Sequence, residues 1–419
     1  MDGARGGWHW AWLILATCFV NLFINYSARL GYGVVLPEMI RDWGITRAQA
    51  GSIYNAYLFT YVLVTPLTGY LTDRLGARVV IAVCALVLSL GLLLMGTAPS
   101  LPRACAFYAV VGLGSTGMWT PVVTVVQRWF APERRGLALG VLATGYGLGF
   151  ATMGAAFPVI VGRFSWRHAW FFLGAAAAAM AAVNLLLLRR SPESTGRRPW
   201  GSRDLPAGPV PAAPARENDR PDAGFFRDPN FWIIGASYFC IAYALYGLTT
   251  FMVDYGRNQV GLPLEKASLL ATIHGFGQVA GVLTILPLSD YLGRQKTVLL
   301  SNGGICLALT AILFSGGSPV RLFLLVGLLA VFFGATFPLY GACAGDYFPR
   351  RVMGTVIGAW TPFYGAGAIL VHWVGGHLRD VTGRYDLTFA LNAALAGLAV
   401  LFFIRVRRRR NGLDLPAEK

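Results

Sequence analysis

Arg29 is the one Lys or Arg that falls well inside an apolar run of this chain. A buried arginine costs roughly 2.5–3.5 kcal/mol on membrane-insertion scales, so it is seldom incidental. Helical spacing puts Asn25 at i−4, Tyr26 at i−3, Tyr32 at i+3 and Gly33 at i+4 beside it. A cation, an amide and two phenols on one face suit an anionic solute, and a guanidinium can grip a carboxylate through two parallel hydrogen bonds. The competing reading is structural: Arg29 pairs with Glu38, binds a helix carbonyl, or reaches out to the interface.

The second half of the chain offers a matching set. His274 and Gln278 stand at i, i+4, Tyr243, Tyr246 and Thr250 share a helical face, and Trp360 and Tyr364 follow further on. His274 can change charge near neutral pH, which makes it the second-half candidate for carrying a proton or touching a solute; a neutral imidazole bonded between helices competes. His372 reads as structural. Tyr54, Tyr57 and Tyr61 form a stripe that packing explains as well as a pore lining does. Glu38, Asp42 and Asp254 fall near the outer ends of apolar runs, where solvated helix ends are expected. No metal-ligand spacing joins the six cysteines, and neither a P-loop nor a nucleophile elbow occurs, so no enzyme, metal or cofactor is expected.

Apolar helices must position these side chains. The chain is 56% hydrophobic and 13% charged, against about 25% charged in ordinary soluble domains. Twelve runs are long enough to cross a hydrocarbon core of about 30 Å, the first over 10–39 and the fourth over 103–127. The chain also repeats itself. Gly69-Tyr-Leu-Thr-Asp73-Arg74-Leu-Gly76-Ala-Arg78 returns as Pro287-Leu-Ser-Asp290-Tyr-Leu-Gly293-Arg294, an offset of 217 between the aspartates. Trp129-Phe130 through Arg134-Arg135-Gly136 returns as Tyr347-Phe348 through Arg350-Arg351 and Gly354, an offset of 218 between the phenylalanines. Two copies of one membrane unit are the mark of a secondary transporter. The expected organisation is a six-helix bundle over 1–188, a Pro/Gly/Arg-rich linker over 189–229, a second six-helix bundle over 230–406, and a basic tail over 407–419.

The net charge of +16 resembles a nucleic-acid signal until it is mapped. Twelve spans put both termini on one side, and that side holds 24 of the 35 Lys and Arg. This is the positive-inside bias, so both termini are expected in the cytoplasm, near anionic lipid headgroups, with no nucleic-acid partner. The excess of arginine over lysine points to a GC-rich bacterial genome, hence to the inner membrane of a bacterium.

The Asp73 and Asp290 segments resemble the paired signature loops of the major facilitator superfamily, after the second and eighth helices. The Trp129-Phe130 to Gly140 run, Trp166-Arg167, Gly6-Gly7-Trp8 and Asp380-Val-Thr-Gly383-Arg-Tyr385 resemble its monocarboxylate-porter and oxalate/formate-antiporter branch. The resemblance implies an all-α membrane protein of two pseudo-symmetric six-helix bundles that rock about a central site. It also implies gating at the signature loops, by Asp73, Arg74, Arg78, Arg134, Asp290, Arg294 and Arg351. The branch's usual cations are missing: Val282 and Gln278 align where its eighth helix carries an arginine one turn after an acid, and Gly365, Ala366 and Gly367 align with its eleventh-helix lysine. The arginine and Gly-Pro pair of the drug antiporters are missing too.

The expected function is secondary transport of a small organic anion, foremost a monocarboxylate, by a monomer, with a proton as candidate coupling partner. Export of an amphiphilic or aromatic compound, and a non-transporting receptor, are the alternatives.

Overall fold

The computed structural model describes residues 9–131, 134–189, 191–202, 223–315, 318–349 and 352–406, less the side chains of Asp73, Ser194 and Ala223. The Arg407–Arg410 run and most of the linker lie outside the described residues. Thirteen long helices make up the described chain: α1 (Trp10–Trp43), α2 (Arg47–Leu75), α3 (Ala77–Thr97), α4 (Leu101–Ser115), α5 (Thr120–Trp129), α6 (Arg135–Arg163), α7 (Trp166–Leu187), α8 (Pro229–Asn258), α9 (Leu264–Leu292), α10 (Arg294–Leu313), α11 (Pro319–Tyr347), α12 (Met353–Thr382) and α13 (Asp386–Ile404).

Helices α4 and α5 form one membrane span, broken by a 3-10 turn at Thr116–Met118. Pro121 opens α5 and cannot donate to the preceding turn. A glycine just before the break and one within it let the backbone press on α3: a Cβ at Gly114 would strike Leu88, and one at Gly117 would strike Cys84. Counting this pair once gives twelve rods. Eleven are apolar and long enough to cross a membrane; the twelfth, α2, is as long but carries more polar side chains.

Local chemistry sets the helix ends. The signature-loop glycines Gly76 and Gly293 take φ of 86° and 84°, a region that side chains disfavour, and so turn α2 into α3 and α9 into α10 within one residue. Thr46 and Gln49 form a reciprocal capping box at the start of α2.

The duplication is visible in the packing. Asn55 of α2 donates to the Ile369 carbonyl of α12 at 3.0 Å, and Thr272 of α9 donates to the Ala151 carbonyl of α6 at 3.1 Å. Thr272 is the repeat mate of Asn55, and Ile369 that of Ala151, so one bond is made twice across a pseudo-two-fold axis. The two bundles, α1–α7 and α8–α13, meet through α6 with α9, α2 with α12, and α1 with α8. Small residues bring these backbones together, as membrane helix contacts require. A Cβ at Gly33 would lie 2.8 Å from the Thr250 carbonyl, and one at Gly154 2.6 Å from that of Ser268.

The contact is one-sided. Along α6, Gly136, Gly140, Gly147 and Gly154 fall on one helical face. A Cβ at Gly147 or Gly154 would strike α9, whereas one at Gly136 or Gly140 would meet no atom within 4 Å. On α12 the mates behave alike: Gly354 and Gly358 meet nothing and Gly365 presses on α2, as does Gly376 further along the same face; the mate of Gly154 is His372. The bundles therefore touch toward the face where α1 ends and α2 begins, called here the far face. They splay toward the opposite face, called basic because the signature loops and the linker lie there.

Candidate functional site

The splayed bundles meet around Arg29, whose side chain is 2% exposed. Its Nη2 donates to the Tyr246 hydroxyl at 2.6 Å. The rings of Tyr61, Tyr26, Tyr57 and Tyr246 surround the guanidinium at 5.0, 5.6, 5.8 and 5.8 Å to their centroids, within cation–π range. Among the described residues no carboxylate pairs with it, and its Nε is buried without a hydrogen-bond partner. One turn toward the basic face, the Asn25 carbonyl oxygen is also buried and unpartnered. Arg29 and Tyr246 are 217 positions apart, so they are repeat mates on α1 and α8 that meet at the axis.

Two aromatic walls rise from this cage. On the first bundle Tyr26 packs on Tyr146 at 4.2 Å, and Tyr146 on Trp119 at 5.3 Å. On the second, Tyr364 packs on Tyr246, Tyr238 and Phe337 at 5.7, 4.8 and 4.4 Å. Tyr146 and Tyr238 were not singled out in the sequence. Their i, i+4 neighbours are apolar, so nothing local separates them from core aromatics.

The other expected site residues stand apart. Tyr32 turns away from Arg29, donates to the Ala50 carbonyl at 2.7 Å, and packs on Tyr54 and Tyr108. Tyr243 is buried on α8 with an unpartnered hydroxyl. His274 bonds Gln278 through Nδ1 at 2.9 Å and lies between the rings of Phe150 and Phe333; its Nε2 is buried and unpartnered. Trp360 donates to the Phe231 carbonyl at 3.0 Å within the second bundle.

At the basic face no described contact joins the gating candidates of one bundle to those of the other. Asp290 is 66% exposed and pairs with Arg294 on its own loop at 2.7 Å; Arg294 reaches Asp346 at 3.9 Å. Arg74 lies over the Tyr70 ring, Arg78 donates to the Leu185 carbonyl, and Arg134 lies over the ring of Trp200. Trp200 belongs to the start of the linker, which bonds to the Trp129–Ala131 loop. The Asp73 side chain and Arg351 lie outside what the structure describes.

The far face is closed, and the expectation of solvated acids there is corrected. Glu38 is 2% and Asp254 0% exposed. Glu38 of α1 pairs with Arg257 of α8 and, at 2.5 Å, with Arg41. Asp254 accepts from Arg47 of α2 at 3.2 Å and from Tyr385 at 2.5 Å. Both oxygens of Asp380 on α12 cap α2, accepting from the Arg47 and Ala48 amides at 2.9 and 3.0 Å. A carboxylate there answers both the unpaired amides and the helix dipole. His372 joins Asn55 of the first bundle at 2.8 Å to Thr250 of the second at 3.0 Å. Only Asp42 fits the surface reading: it is 45% exposed and pairs with Arg167 within its own bundle.

Two pseudo-symmetric bundles, closed on one face around a buried polar centre, define an integral membrane transporter. The sequence profile of the Major Facilitator Superfamily matches residues 18–268 and 257–419, and the chain belongs to that family. It is similar to a probable sulfoacetate transporter of Cupriavidus necator, 24% identical over 97% of this chain and 96% of the relative. It is also similar to monocarboxylate transporter 4 of Mus musculus, 26% identical over 99% and 87%. Among solved structures, the nucleoside transporter NupG shares the fold, with a TM-score of 0.75 at 14% identity over 95% of this chain and all of that one.

Proposed function

We propose that this protein carries a small organic anion bearing a single carboxylate, by alternating access between two bundles. One observation supports the reading above the rest: Arg29 is a buried cation with no described counter-charge and an unpartnered Nε. A carboxylate seated against Nε and Nη would supply both the charge and the missing acceptor. A dianion would bring a second charge to a site with one guanidinium. The relatives named for transport of sulfoacetate and of monocarboxylates agree with an anionic solute. In this reading the basic face is cytoplasmic, both termini lie in the cytoplasm of a bacterium, and the structure is the inward-open state.

Arg29→Gln should weaken carboxylate binding by at least about a hundredfold, because removing one partner of a buried pair costs roughly 3–5 kcal/mol. Arg29→Lys should restore part of it, since an ammonium keeps the charge and loses the planar fork. The measurement is calorimetric titration of detergent-purified, monodisperse protein with a panel of carboxylates. Unchanged affinity in Arg29→Gln would make the arginine structural and bring the neutral-amphiphile reading forward.

A further inference from the structure

The buried guanidinium accounts for one end of a solute. The surfaces available to the remainder of the solute are the two aromatic walls. From the first bundle come Tyr61, with its ring 5.0 Å from the guanidinium, and the Tyr26–Tyr146 pair. From the second come Tyr364 and Tyr238, 4.8 Å apart, with Phe337 behind Tyr364. The Tyr238 and Tyr364 phenols lie within electrostatic reach of Arg29, as do those of Tyr26 and Tyr146, so both walls converge on the cation. Tyr61 hydrogen-bonds Arg29 and Tyr364 hydrogen-bonds Tyr246; the hydroxyls of Tyr26 and Tyr238 make no described hydrogen bond, and neither is both buried and orphaned. The Tyr26 and Tyr238 phenols are therefore not sealed from the space between the splayed bundles.

A saturated chain in this space would gain contact area only. A planar π-system would gain area and also ring-to-ring geometry on both sides, worth about 0.5–1.5 kcal/mol per aromatic pair beyond burial. The Asn25 amide, four residues and so about 6 Å along α1 from Arg29, is buried and lacks any partner for its oxygen. One turn along the same helical face, Asn25 adjoins a solute held on Arg29. We infer that the solute is an aromatic monocarboxylate, its carboxylate on Arg29, its ring between the Tyr26/Tyr61 and Tyr238/Tyr364 walls, and its far edge toward Asn25. This inference rests on the carboxylate reading of Arg29 and names the class of acid.

The test compares three probes on the full-length purified protein by calorimetric titration. They are benzoate, cyclohexanecarboxylate (equal in charge and similar in size but saturated) and the neutral ring benzamide. Benzoate is expected to bind about tenfold more tightly than cyclohexanecarboxylate, and benzamide far more weakly than either. Tyr61→Leu and Tyr364→Leu should bring the benzoate-to-cyclohexanecarboxylate ratio near one, whereas Tyr61→Phe and Tyr364→Phe, which keep the rings, should preserve it. Monodisperse elution of each variant separates lost preference from lost fold. Equal affinity for the two acids in the wild-type protein overturns the aromatic class and leaves the carboxylate reading intact. Binding of benzamide as tight as benzoate, or binding of neither acid, overturns the carboxylate reading itself.

Discussion

Individual side chains divide this molecule into a site and a lock. Among the described residues Arg29 has no counter-charge, and Glu38, nine residues further along the same helix, has two. Glu38 is thus committed to the closed far face. Replacing it with alanine would leave Arg257, whose side chain is 22% exposed, without its carboxylate, at a cost below the roughly 3–5 kcal/mol of a fully buried pair because solvent screens the arginine. Glu38→Ala should therefore shift the population toward a state open at the far face. Spin labels at the exposed ends of α6 and α9, on Arg163 and Glu265, should report a longer distance between bundles. An unchanged distance distribution would show that the pair contributes little to closure. The sequence supports the reading of Arg29, because a lone charge in an apolar run needs no tertiary knowledge to stand out. Glu38, Asp254 and His372 were not legible as a lock. Their partners lie on helices remote in sequence, and a helix-end acid looks alike whether water or another bundle covers it.

At the scale of helices, the cross-bundle cap on α2 is the least expected contact. Asp380 belongs to the second bundle, yet it satisfies the first free amides of a helix in the first. Loss of a cap costs about 1 kcal/mol. Asp380→Asn, which keeps shape and loses charge, should lower the thermal midpoint by a few degrees. It should also raise solvent exchange of the amides at 47–50. No change in either would show that the Thr46–Gln49 box suffices alone. The glycine stripe of α6 gives a second case. Gly154→Leu would push a side chain into the Ser268 carbonyl and should prevent far-face closure, whereas Gly140→Leu, where no atom lies within 4 Å, should be tolerated in this state. Thiol accessibility of introduced far-face cysteines would tell the two apart. Glycine spacing was plain in the sequence; which stretch of the stripe is in contact depends on the angle between bundles, which no local pattern encodes.

For the whole molecule, the duplication was the most legible property, because it is written in turn chemistry that recurs at one offset. It became the pseudo-symmetric pair of bonds Asn55–Ile369 and Thr272–Ala151. The signature loops lie at the splayed face, so under the proposed alternating access their work would fall in the half of the cycle when that face closes. Asp73→Asn and Asp290→Asn should accordingly slow turnover in proteoliposomes more than they weaken equilibrium binding. Weaker binding with unchanged turnover would place these aspartates in the site and not at a gate.

Arg29 and Tyr246 occupy one and the same seat in the two repeats, so an ancestral symmetric pair of positions now holds a cation on one side and a phenol on the other. The scaffold can be superposed on itself by half a turn, and its charge cannot. Under the proposed function, a solute held there is oriented between the bundles, its anionic head toward the first.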